Sequence, residues 1–268
     1  MTRRRDSVFR ETNMLVQALI WGLCLPMLPV CWLQGMLLRR RAQSLTSPEV
    51  PADWTDVDCV REREVRVLGV GDSVMAGYGL ADIETGCLVR CATVLAEVSG
   101  QGVAWRIIAQ KGAKASQVSQ QVKTNLDHGV DLVVIAMGVN DVSGMTSLLK
   151  WQRAIFDAVM AIRSLYPSEI IFLGLPPMGQ FLALPQPLRS VLGVRARMLD
   201  EVLQRSISAL PFASHVVLTS EDLTGAMAAD GYHPNWQGHA KLGQKLASIF
   251  LKSGVDEEPE RSAIEINE

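Results

Sequence analysis

Residues Leu132–Met137, LVVIAM, form an unbroken apolar run that ends at Gly138. A strand wetted on one face alternates apolar and polar side chains, because successive side chains point to opposite faces. A run that is apolar at every position needs cover on both faces, as in a parallel strand held between two helix layers. The surrounding sequence supplies the rest of that architecture. Val65–Val70 (VRVLGV), Val103–Ala109, Ile170–Leu173 and His215–Leu218 read as further strands. Between and after them, Gly86–Val98, Ala115–Leu126, Leu148–Leu165, Arg189–Leu210 and Trp236–Lys252 read as helices. The alternation predicts a three-layer α/β/α, flavodoxin-like domain over residues 65–253, with a mostly parallel five-stranded sheet. Ligands of such sheets bind beyond the carboxyl ends of the strands, so the loops that follow the strands are where chemistry is expected.

The flanks differ in kind. Residues 14–38 (MLVQALIWGLCLPMLPVCWLQGMLL) carry no charge, and as a helix would extend about 37 Å, enough to cross a bilayer. Arg39, Arg40 and Arg41 follow where a cleavage site would need small residues, so the segment reads as a retained membrane anchor behind a basic N-terminus, residues 1–13. Pro26 and Pro29 interrupt it near the middle, and basic residues flank it on both sides. A re-entrant hairpin turning at the prolines would place both basic clusters on the cytoplasmic face, and is preferred to a single spanning helix. Residues 39–64 read as a linker and residues 254–268 as a disordered acidic tail. The Pro-rich loop 175–187 is apolar enough to touch a ligand or a membrane.

A net charge of −2 and a pI of about 6.1, with no basic stripe interleaved with aromatics, exclude nucleic acid as the expected partner. Cys24, Cys31, Cys59, Cys87 and Cys91 read as reduced structural thiols rather than a disulfide or metal set. His128, His215 and His239 have no second ligand at metal spacing and read as surface or packing residues. Met75, Met137 and Met145 read as core, with an acyl pocket as the alternative.

Three loops carry candidate chemistry. Gly71-Asp72-Ser73 follows the first strand, where a tight turn presents a serine outward; alone it also reads as an ordinary turn or cap. Gly138-Val139-Asn140-Asp141 follows the LVVIAM strand, and its asparagine amide can donate to an oxyanion. Asp230-Gly231-Tyr232-His233-Pro234 precedes the last helix. That spacing lets a carboxylate hold the imidazole Nδ1–H and leaves Nε2 to accept a proton. Asp230 and Asn235 are also read as caps of the final helix, and Asp72 and Asp141 as braces of their loops.

In this order, at these strand ends, the blocks resemble those of the SGNH hydrolases (GDSL-type esterases and lipases) from about Val65 to Leu251. Gly71-Asp72-Ser73 is similar to the nucleophile block. Gly112, within Gln110-Lys111-Gly112-Ala113, falls where the family has its oxyanion glycine, although the asparagine that usually precedes that glycine is absent. Gly138–Asp141 is similar to the third block and Asp230–His233 to the acid–base block. The strings GDSVMAGYG (Gly71–Gly79) and DGYHPNWQG (Asp230–Gly238) resemble the thioesterase/lysophospholipase/arylesterase branch.

The resemblance implies a serine hydrolase of carboxyl esters with Ser73, His233 and Asp230 as a triad. It also implies an oxyanion hole from Ser73, Gly112 and Asn140, and neither metal nor organic cofactor. The expected partner is a small-molecule or lipid ester, delivered where residues 14–38 meet a membrane; no oligomeric state is implied. A carbohydrate O-acetyl esterase is the alternative activity, and a non-catalytic scaffold on the same fold the alternative class.

Overall fold

In β4 (Leu132–Ala136) every residue is buried. The structure, a computed structural model, shows why no position there is polar, and describes residues 19–41, 45–57, 64–125 and 129–255. Val133 and Ile135 face one core cluster, while Leu132, Val134 and Ala136 face the other. The same split runs through β2 (Glu64–Gly71), where Leu68 and Val70 join the first cluster and Val67 the second. The sheet therefore has a hydrophobic layer on each side.

β3 (Gly102–Ala109), β5 (Glu169–Leu173) and β6 (Ala213–Val216) complete the parallel part, and the sheet order is β1-β3-β2-β4-β5-β6. The sheet has six strands rather than the five expected. The sixth, β1 (Thr55–Val57), pairs antiparallel with β3 and lies inside the segment read as linker. Three residues are too few to show a period, so pairing to the edge of an existing sheet makes this a strand.

One helix layer comprises α2 (Cys87–Ser99) and α8 (Trp236–Val255), whose Leu88, Cys91, Leu95, Leu242 and Leu246 fill the second cluster. The other comprises α3 (Val118–Asn125), α5 (Leu148–Arg163) and α6 (Leu188–Ile207), which bring Val122, Trp151, Ile155, Leu199 and Leu203 to the first. Fully buried side chains of this size each contribute about 1.5–3 kcal/mol. Two short helices were not expected: α4 (Val139–Ser143), directly after β4, and α7 (Ser220–Leu223). Cys87 and Cys91 are buried free thiols; burial pushes the Cys87 thiol up to about 12. Cys59 and His128 lie outside the described residues, as do residues 1–18 and 256–268 of the two termini.

The expected hairpin at Pro26–Pro29 does not form. Residues Leu19–Leu38 are helical throughout, with a mean hydropathy of 1.5, passing through a 3-10 turn at Leu25–Met27 into α1 (Leu28–Arg41). Both prolines sit in the opening turn of a helical segment, where a missing N–H costs no intrahelical bond. This helix lies against α6. Gln34 Nε2 donates to Gln186 O at 2.7 Å and Gln34 Oε1 accepts from Leu188 N at 3.2 Å. Cys31 is buried there, while Leu19, Leu23 and Trp32 stay exposed.

Candidate active site

The carboxyl ends of β2, β3 and β4 converge, and the chemistry-bearing loops leave from there. β2 and β4 approach so closely at Gly71 that a β-carbon would lie 2.2 Å from Ala136 O. Only glycine fits, and Asp72 N then donates to Ala136 O at 3.1 Å. The next residue, Ser73, begins a run of turns in which Tyr78 N donates to Ser73 O at 3.0 Å.

The 230–233 loop folds on its own carboxylate. Asp230 Oδ1 accepts the N–H groups of Tyr232 and His233 at 2.9 and 3.0 Å, and Oδ2 lies 2.7 Å from His233 Nδ1. Partial burial works against the Asp230 charge. The hydrogen bonds from the His233 ring and from the His233 and Tyr232 N–H groups outweigh it and hold the carboxyl below its ordinary range. With Nδ1–H donated to Asp230, His233 presents Nε2 to Ser73 Oγ at 2.9 Å. The structure thus brings Ser73, His233 and Asp230 into one hydrogen-bonded line.

Phe181, from the 175–187 loop, supports it edge-on against Tyr232 at 5.5 Å between ring centroids, and Tyr232 meets the His233 ring at 5.6 Å. That loop, expected to face ligand or membrane, mostly packs inward: Leu175, Met178, Phe181 and Leu184 are buried, and Leu182 is exposed.

Gly112 projects at φ +77 with open space where a side chain would be. Among the described residues, neither its N–H nor that of Ser73 donates to a protein acceptor. Asn140 stands on α4 rather than in a simple turn. Its Nδ2 donates to Asp72 Oδ2 at 2.9 Å and to Ala113 O at 3.1 Å, so the amide ties together the loops after β2, β3 and β4.

Asp72 is nearly inaccessible. Desolvation raises its carboxyl to about 6, against the opposing pull of the Val74 N–H, His233 and Asn140. Asp141 is raised by burial as well. It braces its neighbours by accepting Ala115 N–H at 3.0 Å and Thr146 Oγ1–H at 2.8 Å.

Two histidines outside this line have roles that their sequence spacing did not reveal. His239 is fully buried and its Nδ1 accepts the Cys87 N–H at 3.0 Å, capping α2; burial lowers its pKa to about 4. His215 Nε2 lies 2.9 Å from Asp200 Oδ1, which also accepts Leu175 N–H at 2.8 Å. Both partners come from distant chain, so no local motif announces them. Asn235 Oδ1 accepts the Gly238 N–H at 3.0 Å and caps α8. Met75 is core, whereas Met145 is exposed.

A doubly covered parallel sheet with a hydroxyl, an imidazole and a carboxylate aligned at its carboxyl edge is the architecture of an SGNH-type hydrolase. The chain belongs to the GDSL-like lipase/acylhydrolase family, whose profile matches residues 70–241. It is similar to a GDSL-like esterase of Mycobacterium tuberculosis, 27% identical over an alignment of 203 residues that covers 72% of this chain and 64% of that protein. The matched span is thus a little under two-thirds of the relative's length. The fold is shared with the lipase/acylhydrolase of Enterococcus faecalis, with a TM-score of 0.56 at 20% identity, over 71% of this chain and 96% of the other. It is shared also with TesA, with a TM-score of 0.53 at 22% identity, over 68% of this chain and 95% of the other.

Proposed function

We propose that the chain is a serine esterase that cleaves carboxyl esters through an acyl-enzyme, with Ser73 as nucleophile, His233 as base and Asp230 as its orienting partner. The observation that carries this reading is the unbroken line from Asp230 Oδ2 through His233 to Ser73 Oγ, at 2.7 and 2.9 Å. Ser73 Oγ attacks the ester carbonyl as Nε2 takes its proton, and the imidazolium is stabilised by the carboxylate held ionised beside it. The same proton passes to the leaving alkoxide. Water, activated in turn by His233, attacks the acyl-serine and releases the acid.

The oxyanion is received by the N–H groups of Ser73 and Gly112 and by the Asn140 amide. Asn140 accepts this role by exchanging one of its two present bonds, and the longer one, to Ala113 O, is the weaker tie. The N–H groups of Ser73 and Gly112, fixed by the backbone and committed to no protein acceptor among the described residues, stabilise the charge without reorganising during reaction. The non-catalytic scaffold reading has no support in a site whose hydrogen-bonded line is intact.

The substrate class we favour is an amphiphilic ester such as a lysophospholipid. Helix Leu19–Leu38, long and apolar enough to span a bilayer, is read as the anchor that holds the domain at a lipid surface. The thioesterase-like strings around Ser73 and His233 motivate the same preference. The carbohydrate O-acetyl esterase reading draws on the rings of Tyr78 and Tyr232, at 6.1 and 5.6 Å from the His233 ring, since aromatic faces stack on sugars.

A fluorophosphonate probe and a short-chain aryl ester test the proposal together. The protein is expected to be labelled at Ser73 and to hydrolyse the ester, and Ser73→Ala to lose both while melting at the same temperature. Turnover retained in Ser73→Ala would place the nucleophile elsewhere.

A further inference from the structure

On the outer side of the 112–115 loop lies an open cavity of about 480 Å³ that this mechanism does not use, lined among others by Lys114, Ser147, Lys150 and Arg153. Its charge balance is uneven. The acidic members of the lining are Asp141 and Asp157. Asp141 is buried, committed to Ala115 N–H and Thr146 Oγ1–H, and faces both Lys114 and Arg195. Arg195, itself buried, donates to Thr146 O beneath the cavity. With Asp141 and Arg195 offsetting one another below, three cationic side chains face one exposed carboxylate above.

Lys150 and Arg153 are three apart on α5 and so share a face, and among the described residues neither forms a salt bridge. Ser147 caps α5 by accepting the Lys150 N–H at 3.3 Å, which puts the positive end of a 16-residue helix at the same wall. The third cation lies beside the segment that carries Asn140. Lys114 Nζ lies over Gly144, 2.4 Å from where a β-carbon would stand, and Gly144 N donates to Asn140 O at 2.9 Å. Lys114 is also two residues beyond Gly112, at most about 7 Å along the chain.

The structure assigns this cavity, we infer, as a subsite for a phosphate group on the non-reacting part of the ester. The assignment rests on Ser73 being the nucleophile. A guanidinium fork and two ammonium groups at a helix N-terminus match a compact oxyanion that accepts several hydrogen bonds. The placement, about one helical turn beyond Asn140, suits a phosphate separated from the cleaved carbonyl by a glycerol-sized spacer.

The test compares two soluble esters, hexanoyl glycerol phosphate and hexanoyl glycerol, with the full-length protein and its Lys150→Ala/Arg153→Ala variant. The native protein is expected to favour the phosphate ester by tenfold or more in kcat/KM. The variant should collapse that ratio toward one through KM, and Lys150→Arg/Arg153→Lys should restore most of it. A native ratio near one, or a ratio unmoved in the variant, overturns the subsite. Failure to cleave either ester would instead overturn the esterase reading. Vesicles carrying the neutral ester, with and without phosphatidic acid, separate the sources. A rate that rises with phosphatidic acid in the native protein but not in the variant means that the cavity takes bilayer headgroups, and overturns the substrate assignment.

Discussion

Asp72 sits beside the proposed nucleophile, and its burial has a measurable consequence. A carboxyl raised from 3.8 to about 6 on folding binds its proton more tightly in the native than in the unfolded chain. Stability from this group is therefore greatest when both states are protonated, below about pH 4, and is lost as pH rises through about 6. At about 1.36 kcal/mol per pH unit the loss is about 3 kcal/mol. His239 acts with the opposite sign. Its pKa falls from 6.5 to about 4 on folding, so its contribution is whole above about pH 6.5 and is lost as pH falls toward 4, again by about 3 kcal/mol.

In the native protein the two slopes nearly cancel between pH 4 and 6.5. Asp72→Asn removes one of them. The variant keeps a carbonyl to accept from Asn140 Nδ2, and its stability should drop by about 3 kcal/mol on acidification from pH 7 to 4 while the parent stays comparatively flat. Urea unfolding at closely spaced pH values, read as the difference between variant and parent, isolates the Asp72 contribution. Parallel profiles would refute the argument, because they would mean that Asp72 titrates alike in the folded and unfolded chains.

Asn140→Ala should lower kcat by on the order of 100- to 1,000-fold with little change in KM, as expected for a donor that acts on the transition state; steady-state kinetics on the aryl ester decides. Gly71→Ala drives a β-carbon to 2.2 Å from Ala136 O and should cost at least about 3 kcal/mol, seen as loss of the cooperative melt. Gly112→Ala has room for its methyl group but retains φ +77. It should cost only about 1–2 kcal/mol in the same assay.

The layered fold was legible because its signals are local. The apolar run of β4 and the alternation of strands and amphipathic helices state the burial of each segment without reference to the others. The triad candidates were legible for a similar reason. Glycine before Ser73 and the Asp230–His233 spacing are each short-range demands of backbone geometry. What escaped was non-local or brief. β1 exists through its pairing with β3, and His239 meets Cys87 across 152 positions of chain. The helical course through Pro26 and Pro29 differs from the expected hairpin because a proline is tolerated or disruptive according to its place within a turn, which hydropathy does not report.

The sequence by itself determined which segments are buried and which loops bear a hydroxyl, an imidazole, carboxylates and an amide, since these follow from composition and spacing. Tertiary structure alone decided that Asn140 is held by Asp72 and Ala113 O, and that Lys114 meets the first turn of α5 around one cavity. Such juxtapositions join residues far apart in the chain. Their distances are fixed only when the strand ends and helices have packed.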